Sequence, residues 1–464
     1  MTDTPPSGDA LDELRTLLDG ELLVTGSDDL ERYRVPARGA GGELTAVARP
    51  RTTDQVRAVV AWARRHLVHL VPQGANSGLV GSSVPGTRAA IVVSTDLLRA
   101  PLQVDPDDRT AIAGAGVRLS ELNDAAAPHG LHLAIDLGAD PSLGGMVATN
   151  TGGARMLRYG DMRHHLLGVQ AVIADEDCSV VGRVDGLRKR NEGPALEQLL
   201  VGSSGALGIV TAVKVELDVR EPDRACAWWS PVDDAAAVTA LGEFERAAVR
   251  DLSAYEVLSA AAVAAGVEHA GVPLPIPTAT GRLVLVELSG PPGAEDRLVG
   301  VLERCRGRGL LADAVVVPPE HAWRLRHAVS DGLKAHGTVT GFDLSVPRPL
   351  LPELCAVVTE LVPRRAPRAR VADFGHWGDG GVHCNVVWPM DAPPSSDELI
   401  DLRQAVVEVT VERFGGSYSA EHGIGPVNAE EWRRRTPPAE QRILGALKAS
   451  VDPLGVLGHP GLPF

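Results

Sequence analysis

From Thr45 onward the chain alternates short apolar runs with amphipathic stretches at regular spacing. "TAVARP" (45–50) predicts a strand. "TTDQVRAVVAWARRH" (52–66) predicts a helix, because Thr opens it and Val56, Val59, Val60 and Ala63 recur at helical spacing. "LVHLVPQG" (67–74) and "AAIVVST" (89–95) predict two more strands, and this strand–helix–strand order implies an α/β layer. Further strands are expected near 110–113, 168–174 and 208–219, with helices near 118–127 and 195–200. After Glu221 and Pro222 the texture changes. "RLVLVELSG" (282–290) and "HCNVVW" (383–388) read as antiparallel strands among Ala-rich helices near 233–249 and 292–308. A polar helix is expected near 429–450. The expected organisation is therefore a short helix and Gly-rich linker over 1–43, an α/β domain over 44–222, an α+β domain over 223–415, and a C-terminal segment over 416–464.

Composition narrows the function. A chain of 464 residues with 44% hydrophobic and 23% charged residues can bury more than one core. Its net charge of −15 argues against binding nucleic acid or an anionic membrane surface. There is no apolar window of about 18 residues to span a membrane, and the acidic N-terminal stretch does not read as a secretory signal. The five cysteines have no CxxC pairing, which fits reduced thiols in a cytoplasm. Lysine is nearly absent, occurring only at 189, 214, 334 and 448.

Four glycine-rich stretches mark the first domain: "VPQGANSGLVGSS" (71–83), "PSLGGMVATNTGGARMLRYGD" (141–161), "EGPALEQLLVGSSGALGIVT" (192–211) and the weaker "AGAGVRLSEL" (113–122). None is a GxGxxG fingerprint or a Walker loop. Glycines still let backbone N–H groups close on an anion, and four such clusters point to a large phosphate-bearing cofactor.

These stretches, with "GHWGDGGVH" (375–383) and "EHGIG" (421–425), occur in the order and spacing of the FAD-linked D-2-hydroxy acid dehydrogenases. That group includes D-lactate dehydrogenase, the FAD subunit of glycolate oxidase and D-2-hydroxyglutarate dehydrogenase, within the vanillyl-alcohol-oxidase-type flavoproteins. The resemblance implies an α+β chain: a two-lobed α/β FAD domain, a cap domain with an antiparallel sheet, and a C-terminal segment returning to the flavin. It implies that Gln73, Gly74, Ala75, Asn76, Ser77, Gly78 and Leu79 hold the FAD pyrophosphate. Pro141, Gly144, Gly145, Thr149 and Gly153 would line the flavin and its ribityl chain, with Ile209 near the adenine. Relatives carry three glycines where this chain has Gly74, Ala75 and Asn76. Asn76 is therefore expected to take the positive φ of the turn and Ala75 an ordinary one. The loop has no histidine, so FAD is expected to be non-covalent.

In "DFGHWGDGGVHCNVVW" (373–388), alternation puts Phe374 and His376 on one face entering the "GDGG" turn, and His383 and Asn385 on one face leaving it. Two histidines at a hairpin mouth are more often polar flanks than ligands. Glu421 in "AEHGIG" adds a third donor, and His₂Glu with an open position is a recognised catalytic zinc set. The resemblance makes His376, His383 and Glu421 metal ligands, with zinc the first choice and manganese or another divalent ion second. His422, beside a ligand, is the natural base for a hydroxyl proton. Asn385 would position the substrate or a water. By resemblance Arg326, in "WRLRHAVSDGL" (323–333), holds the substrate carboxylate, with Ser330 one turn later on the same helix face.

Three departures change the substrate expected. Gly341 stands where the 2-hydroxyglutarate-type relatives have Lys, Asn428 ends a motif that usually ends in Lys, and Gly381 replaces an Asn. Fewer cations favour a monocarboxylate, D-lactate- or glycolate-like or bulkier, over a dicarboxylate. The electron acceptor would be a carrier protein, a quinone or O₂, and a homodimer is compatible with this reading. Two alternatives remain open: a flavin enzyme of the same superfamily acting on another alcohol or a sugar, and a non-catalytic flavin subunit.

Overall fold

The computed structural model describes residues 4–37, 41–86, 90–248, 250–277 and 281–463. The expected linker over 37–43 and the ends of two expected elements, at Ala89 and Val249, lie partly outside those residues. The chain forms two compact units: Met1–Gly152 with Asp161–Arg220 and His422–Phe464, and Gly153–Gly160 with Glu221–Glu421.

In the first unit, α1 (Gly8–Leu17) packs its Ala10 and Leu14 into the core. Helix α2 (Thr53–His66) begins where the Thr52 side chain accepts the Gln55 N–H, and it buries Val56, Val59, Val60, Trp62 and Ala63. Strands β1 (His69–Gln73) and β2 (Ala90–Ser94) pair in parallel. Every residue of β2 is buried, which explains its unbroken apolar run. Strand β3 (Thr110–Gly114), helix α3 (Leu143–Thr149), and strands β4 (Leu166–Val172) and β5 (Ile209–Glu216) follow. β5 lies between β3 and β4, antiparallel to both. The helix expected over 195–200 is only a 3₁₀ turn, Leu196–Leu199, and both of those leucines are exposed, so it has no apolar face to bury.

The second unit is built on a seven-stranded antiparallel sheet. In chain order its elements are β6 (Asp223–Pro231), α4 (Asp234–Ala247), β7 (Leu252–Ser259), α5 (Ala260–Ala270), β8 (Arg282–Gly290), α6 (Ala294–Gly307), β9 (Leu311–Val317), α7 (Pro319–His336), β10 (Thr338–Ser345), α8 (Leu351–Arg365), β11 (Arg370–Gly375) and β12 (Gly381–Trp388). The strand order is β9-β6-β8-β7-β11-β12-β10. Alternation divides the side chains between two cores. Trp229, Tyr255, Val284 and Val286 pack with α4, α6 and α8 on one face; Trp228, Ala254, Leu258 and Leu285 pack with α5 and α7 on the other. Helices α5 and α7 approach backbone to backbone at Gly332, where a Cβ would meet the Ala265 carbonyl oxygen at 2.3 Å. The α5/α7 face also carries Glu256, Glu287, His383 and Asn385, in register with those apolar residues.

The long helix expected near 429–450 is two helices of the first unit, α9 (Gly425–Arg435) and α10 (Pro438–Val451). Pro437 and Pro438 divide it, since proline disfavours helical geometry in the residue before it but opens a helix well.

Candidate active site

In the first unit the glycine clusters meet in one cleft. Pro72, Gln73 and Gly74 at the end of β1 line it, with Ser82, Ser83 and Thr95, then Gly144, Gly145, Ala148 and Thr149 of α3, and Ser204, Gly205, Gly208, Ile209 and Val210. The glycines are required by space. A Cβ on Gly74 would lie 2.2 Å from Ser142 Oγ, on Gly144 2.6 Å from the Ala115 Cβ, and on Gly205 2.8 Å from Pro72. Among the described residues the buried Ser82 hydroxyl, in the cleft lining, makes no hydrogen bond, so the cleft offers a donor to a ligand. This donor set suits a phosphate-bearing cofactor.

The loop after β1 turns as its residues require. Asn76 has φ +55°, while Ala75 is not among the described residues at positive φ. Asn76 is fastened by its side chain, which donates to the Val35 carbonyl at 2.7 Å and accepts from Ser83 Oγ at 3.1 Å. The Gln73 amide donates to the Tyr33 and Ser83 carbonyls, so it braces the loop. Of the residues expected at the cofactor, Gln73, Gly74, Gly144, Gly145, Thr149 and Ile209 line the cleft. Ala75, Asn76, Ser77, Gly78, Leu79 and Pro141 are not in its lining, and Gly153 belongs to the second unit.

In the second unit β11 and β12 form the expected hairpin, with Phe374 opposite His383. His376 is not on the strand beside Phe374 as alternation suggests. It lies in the connection after Gly375, whose φ of +143° breaks the strand. That break turns the imidazole toward its partner: His376 Nε2 is 3.3 Å from His383 Nε2. Glu421 arrives along the edge of β10. Ser417 bridges Ser345, and the Glu421 N–H donates to Asp343 Oδ2 at 2.8 Å. Glu421 Oε1 then lies 3.3 Å from His383 Nε2 and 3.9 Å from His376 Nε2. A tetrahedral ion with bonds of about 2.0–2.1 Å sets its donors about 3.3 Å apart, so the three atoms fit one divalent metal. Asp343, His383 and Glu421 also cluster, but Asp343 lies on the Nδ1 side of His383, at 3.7 Å. The Nε2 set has the better convergence.

Behind this triad is a carboxylate that the sequence reading did not single out. Glu256 is wholly buried; its Oε1 is 2.6 Å from His376 Nδ1 and its Oε2 accepts the Arg326 Nε–H at 2.6 Å. Burial alone would raise its pKa, but the charges of Arg326 and His376 hold the carboxyl at about 2. Burial likewise disfavours charge on His376, yet the Glu256 charge and hydrogen bond outweigh it and lift the imidazole to about 9 in the metal-free chain.

Arg326 is buried on α7 with its guanidinium over Phe374, 4.7 Å from the ring centre. Ser330 does not share that environment. It is exposed, because α7 packs on α5 through Leu325, Val329 and Gly332 and Ser330 lies off that ridge. Asn385 is buried on β12 opposite Gly341. Asn428 is buried in α9 and donates to the Gly423 carbonyl, so it holds the "EHGIG" loop. His422 follows Glu421 directly and is the first residue of the returning segment of the first unit.

The glycine cleft lies on an α/β unit and the His₂Glu cluster on an antiparallel-sheet unit, and the sequence matches make the chain an FAD-linked oxidoreductase. Residues 44–182 match the FAD binding domain family, and residues 222–460 match the C-terminal domain of FAD linked oxidases. The chain is 30% identical to the D-2-hydroxyglutarate dehydrogenase of Stutzerimonas stutzeri (strain A1501), over 98% of each chain. It is 31% identical to the mitochondrial D-2-hydroxyglutarate dehydrogenase of Arabidopsis thaliana, over 96% of this chain and 79% of that one. For the mitochondrial enzyme of that name from Rattus norvegicus the figures are 32%, 94% and 81%. The chain belongs to the FAD-linked D-2-hydroxy acid dehydrogenase family. Its fold is that of p-cresol methylhydroxylase, whose substrate-bound crystal structure matches at TM-score 0.79 and 16% identity, over 99% of this chain and 98% of that one. Alkyldihydroxyacetonephosphate synthase matches at TM-score 0.73 and 17% identity, over 97% and 85%. The expected vanillyl-alcohol-oxidase type of architecture is therefore correct. Among the described residues no helix is long and apolar enough to cross a membrane.

Proposed function

We propose that the chain oxidises a D-2-hydroxy acid to the 2-oxo acid, using non-covalent FAD in the first unit and a divalent metal, zinc by preference, in the second. The observation that carries this is the convergence of His376 Nε2, His383 Nε2 and Glu421 Oε1 at 3.3–3.9 Å. FAD held in the glycine cleft would supply a two-electron acceptor for the substrate's Cα hydride. A divalent ion on the triad supplies Lewis acidity toward the hydroxyl and carboxylate oxygens. The chain's own groups do the rest. His422 takes the hydroxyl proton. Arg326 keeps Nε–H on Glu256 and directs its terminal N–H groups to the substrate carboxylate. Asn385 orients the substrate from β12. Electrons leave to a carrier protein, a quinone or O₂.

The substrate class follows from charge. Gly341, opposite Asn385, offers no cation for a second carboxylate, which favours a monocarboxylate. The five free, buried cysteines suit a reducing compartment, and a cytoplasmic setting is part of this reading, although two of the relatives above are named mitochondrial. The test is anaerobic flavin bleaching across D- and L-hydroxy acids. The expected result is bleaching by D-lactate or a bulkier D-monocarboxylate faster than by D-2-hydroxyglutarate. Bleaching by no 2-hydroxy acid sinks the proposal.

A further inference from the structure

The metal triad is held from behind by a group outside it. Strand β7 pairs with β11 through Val257–Gly375 and Leu258–Phe374. Continued by one residue, that register sets Glu256 opposite His376, the residue that leaves the strand. Glu256 has no exposed surface and accepts from two sides: His376 Nδ1 on Oε1 and Arg326 Nε–H on Oε2, each at 2.6 Å. An ionised carboxylate only accepts hydrogen bonds, so His376 keeps a proton on Nδ1, and Nε2, turned toward His383 and Glu421, is the nitrogen left for a metal. The same carboxylate joins His376, just past the end of β11, to Arg326 of α7.

We infer that Glu256 is the positioning residue of this centre: it fixes the tautomer and ring orientation of His376 for metal binding and, through its second oxygen, ties the carboxylate-binding Arg326 to the same point. The inference rests on the metal centre proposed above. Glu256 contacts neither metal nor substrate in this arrangement; it acts through the two residues that do.

The test is zinc affinity, measured by competition between the metal-free chain and a chromogenic chelator, with bound FAD and melting temperature as checks of folding. Glu256→Gln keeps the shape and removes the charge, and is expected to weaken zinc binding about 10- to 100-fold. Glu287→Gln is the control. Glu287 is an equally buried carboxylate of the neighbouring strand with no contact to the triad, and its variant keeps wild-type zinc affinity even where it melts earlier. Should Glu256→Gln fail to hold FAD, the double variant Glu256→Gln with Arg326→Gln, which leaves neither of the two charges buried alone, carries the same expectation. A folded single or double variant that binds zinc as tightly as the wild type overturns the inference and leaves the metal centre standing. A wild-type chain that binds no divalent metal overturns the centre and the inference together.

Discussion

Glu256 and Glu287 are two carboxylates in nearly the same setting. They sit on neighbouring strands β7 and β8, on the same sheet face, and both are wholly buried. Both would be raised by burial, and in both the surrounding cations hold the carboxyl at about 2. What differs is the partners. Glu287 takes Arg155 on both oxygens at 2.7 and 3.2 Å, Ser253 Oγ and Trp323 Nε1 at 2.7 Å each, and Arg224. It is the hub of an ion cluster in which each of these partners donates to it, and Arg155 also lies over the Trp323 ring. Glu256 has one arginine and one histidine, and that histidine's other nitrogen faces Glu421 and His383. A buried, strongly acidic carboxylate is therefore no sign of function by itself. What sets Glu256 apart is that the second nitrogen of its histidine faces His383 and Glu421.

The largest effect that can break this comparison is at the histidine. His376→Ala is expected to abolish measurable zinc binding and to lower kcat/KM for flavin reduction about 100-fold or more, since Lewis-acid stabilisation is worth several kcal/mol. Metal analysis and anaerobic stopped-flow read the two. Unchanged zinc content would return the Glu256 side to the same structural status as the Glu287 side.

Next comes the hub. Glu287→Ala removes the carboxylate to which Arg155, Arg224, Ser253 and Trp323 donate and is expected to cost about 3–5 kcal/mol of stability, read by denaturant unfolding, with zinc content unchanged. The pH dependence follows with a definite sign. Glu287 has a folded pKa of about 2 against an ordinary 4.5, so the unfolded chain takes up the proton first. Its contribution is fully present above pH 4.5 and is lost as the pH falls through about 2. Acid unfolding of the Glu287→Gln variant is expected to be flatter over that window than that of the wild type.

The smallest effect separates two positions on one helix. Ser330, exposed on α7, is expected to tolerate Ala within about 0.5 kcal/mol of stability and about twofold in flavin reduction. A large loss in kcat/KM would restore it as a substrate contact beside Arg326.

Much of the molecule was legible beforehand. Helix α2, strands β1, β2 and β8 and the β11–β12 hairpin follow from periodicity and turn chemistry within a few residues. The positive φ of Asn76 was expected because asparagine tolerates it where the chain lacks a glycine. Ser82, Ser83, Ser204, Gly205 and Gly208 line the cleft inside stretches already marked by their glycines, although they were not singled out. The division of the C-terminal helix was written in Pro437–Pro438 and passed over.

Glu256 shows where such reading stops. "AYEVLS" (254–259) and "LVELSG" (285–290) each present one Glu between core residues of a strand, and the two are indistinguishable as strings. The local pattern predicts a strand over 282–290, where alternation sets Glu287 on the face of Leu283 and Leu285, whereas the strand over 254–259 emerges only in the fold. Which Glu meets the metal-site histidine was decided by strand order and register: β7 lies beside β11, and His376 is 120 residues further along the chain than Glu256. Hydrogen bonding and charge act over a few ångströms in space, and only the folded sheet brings residues that distant in sequence within that range.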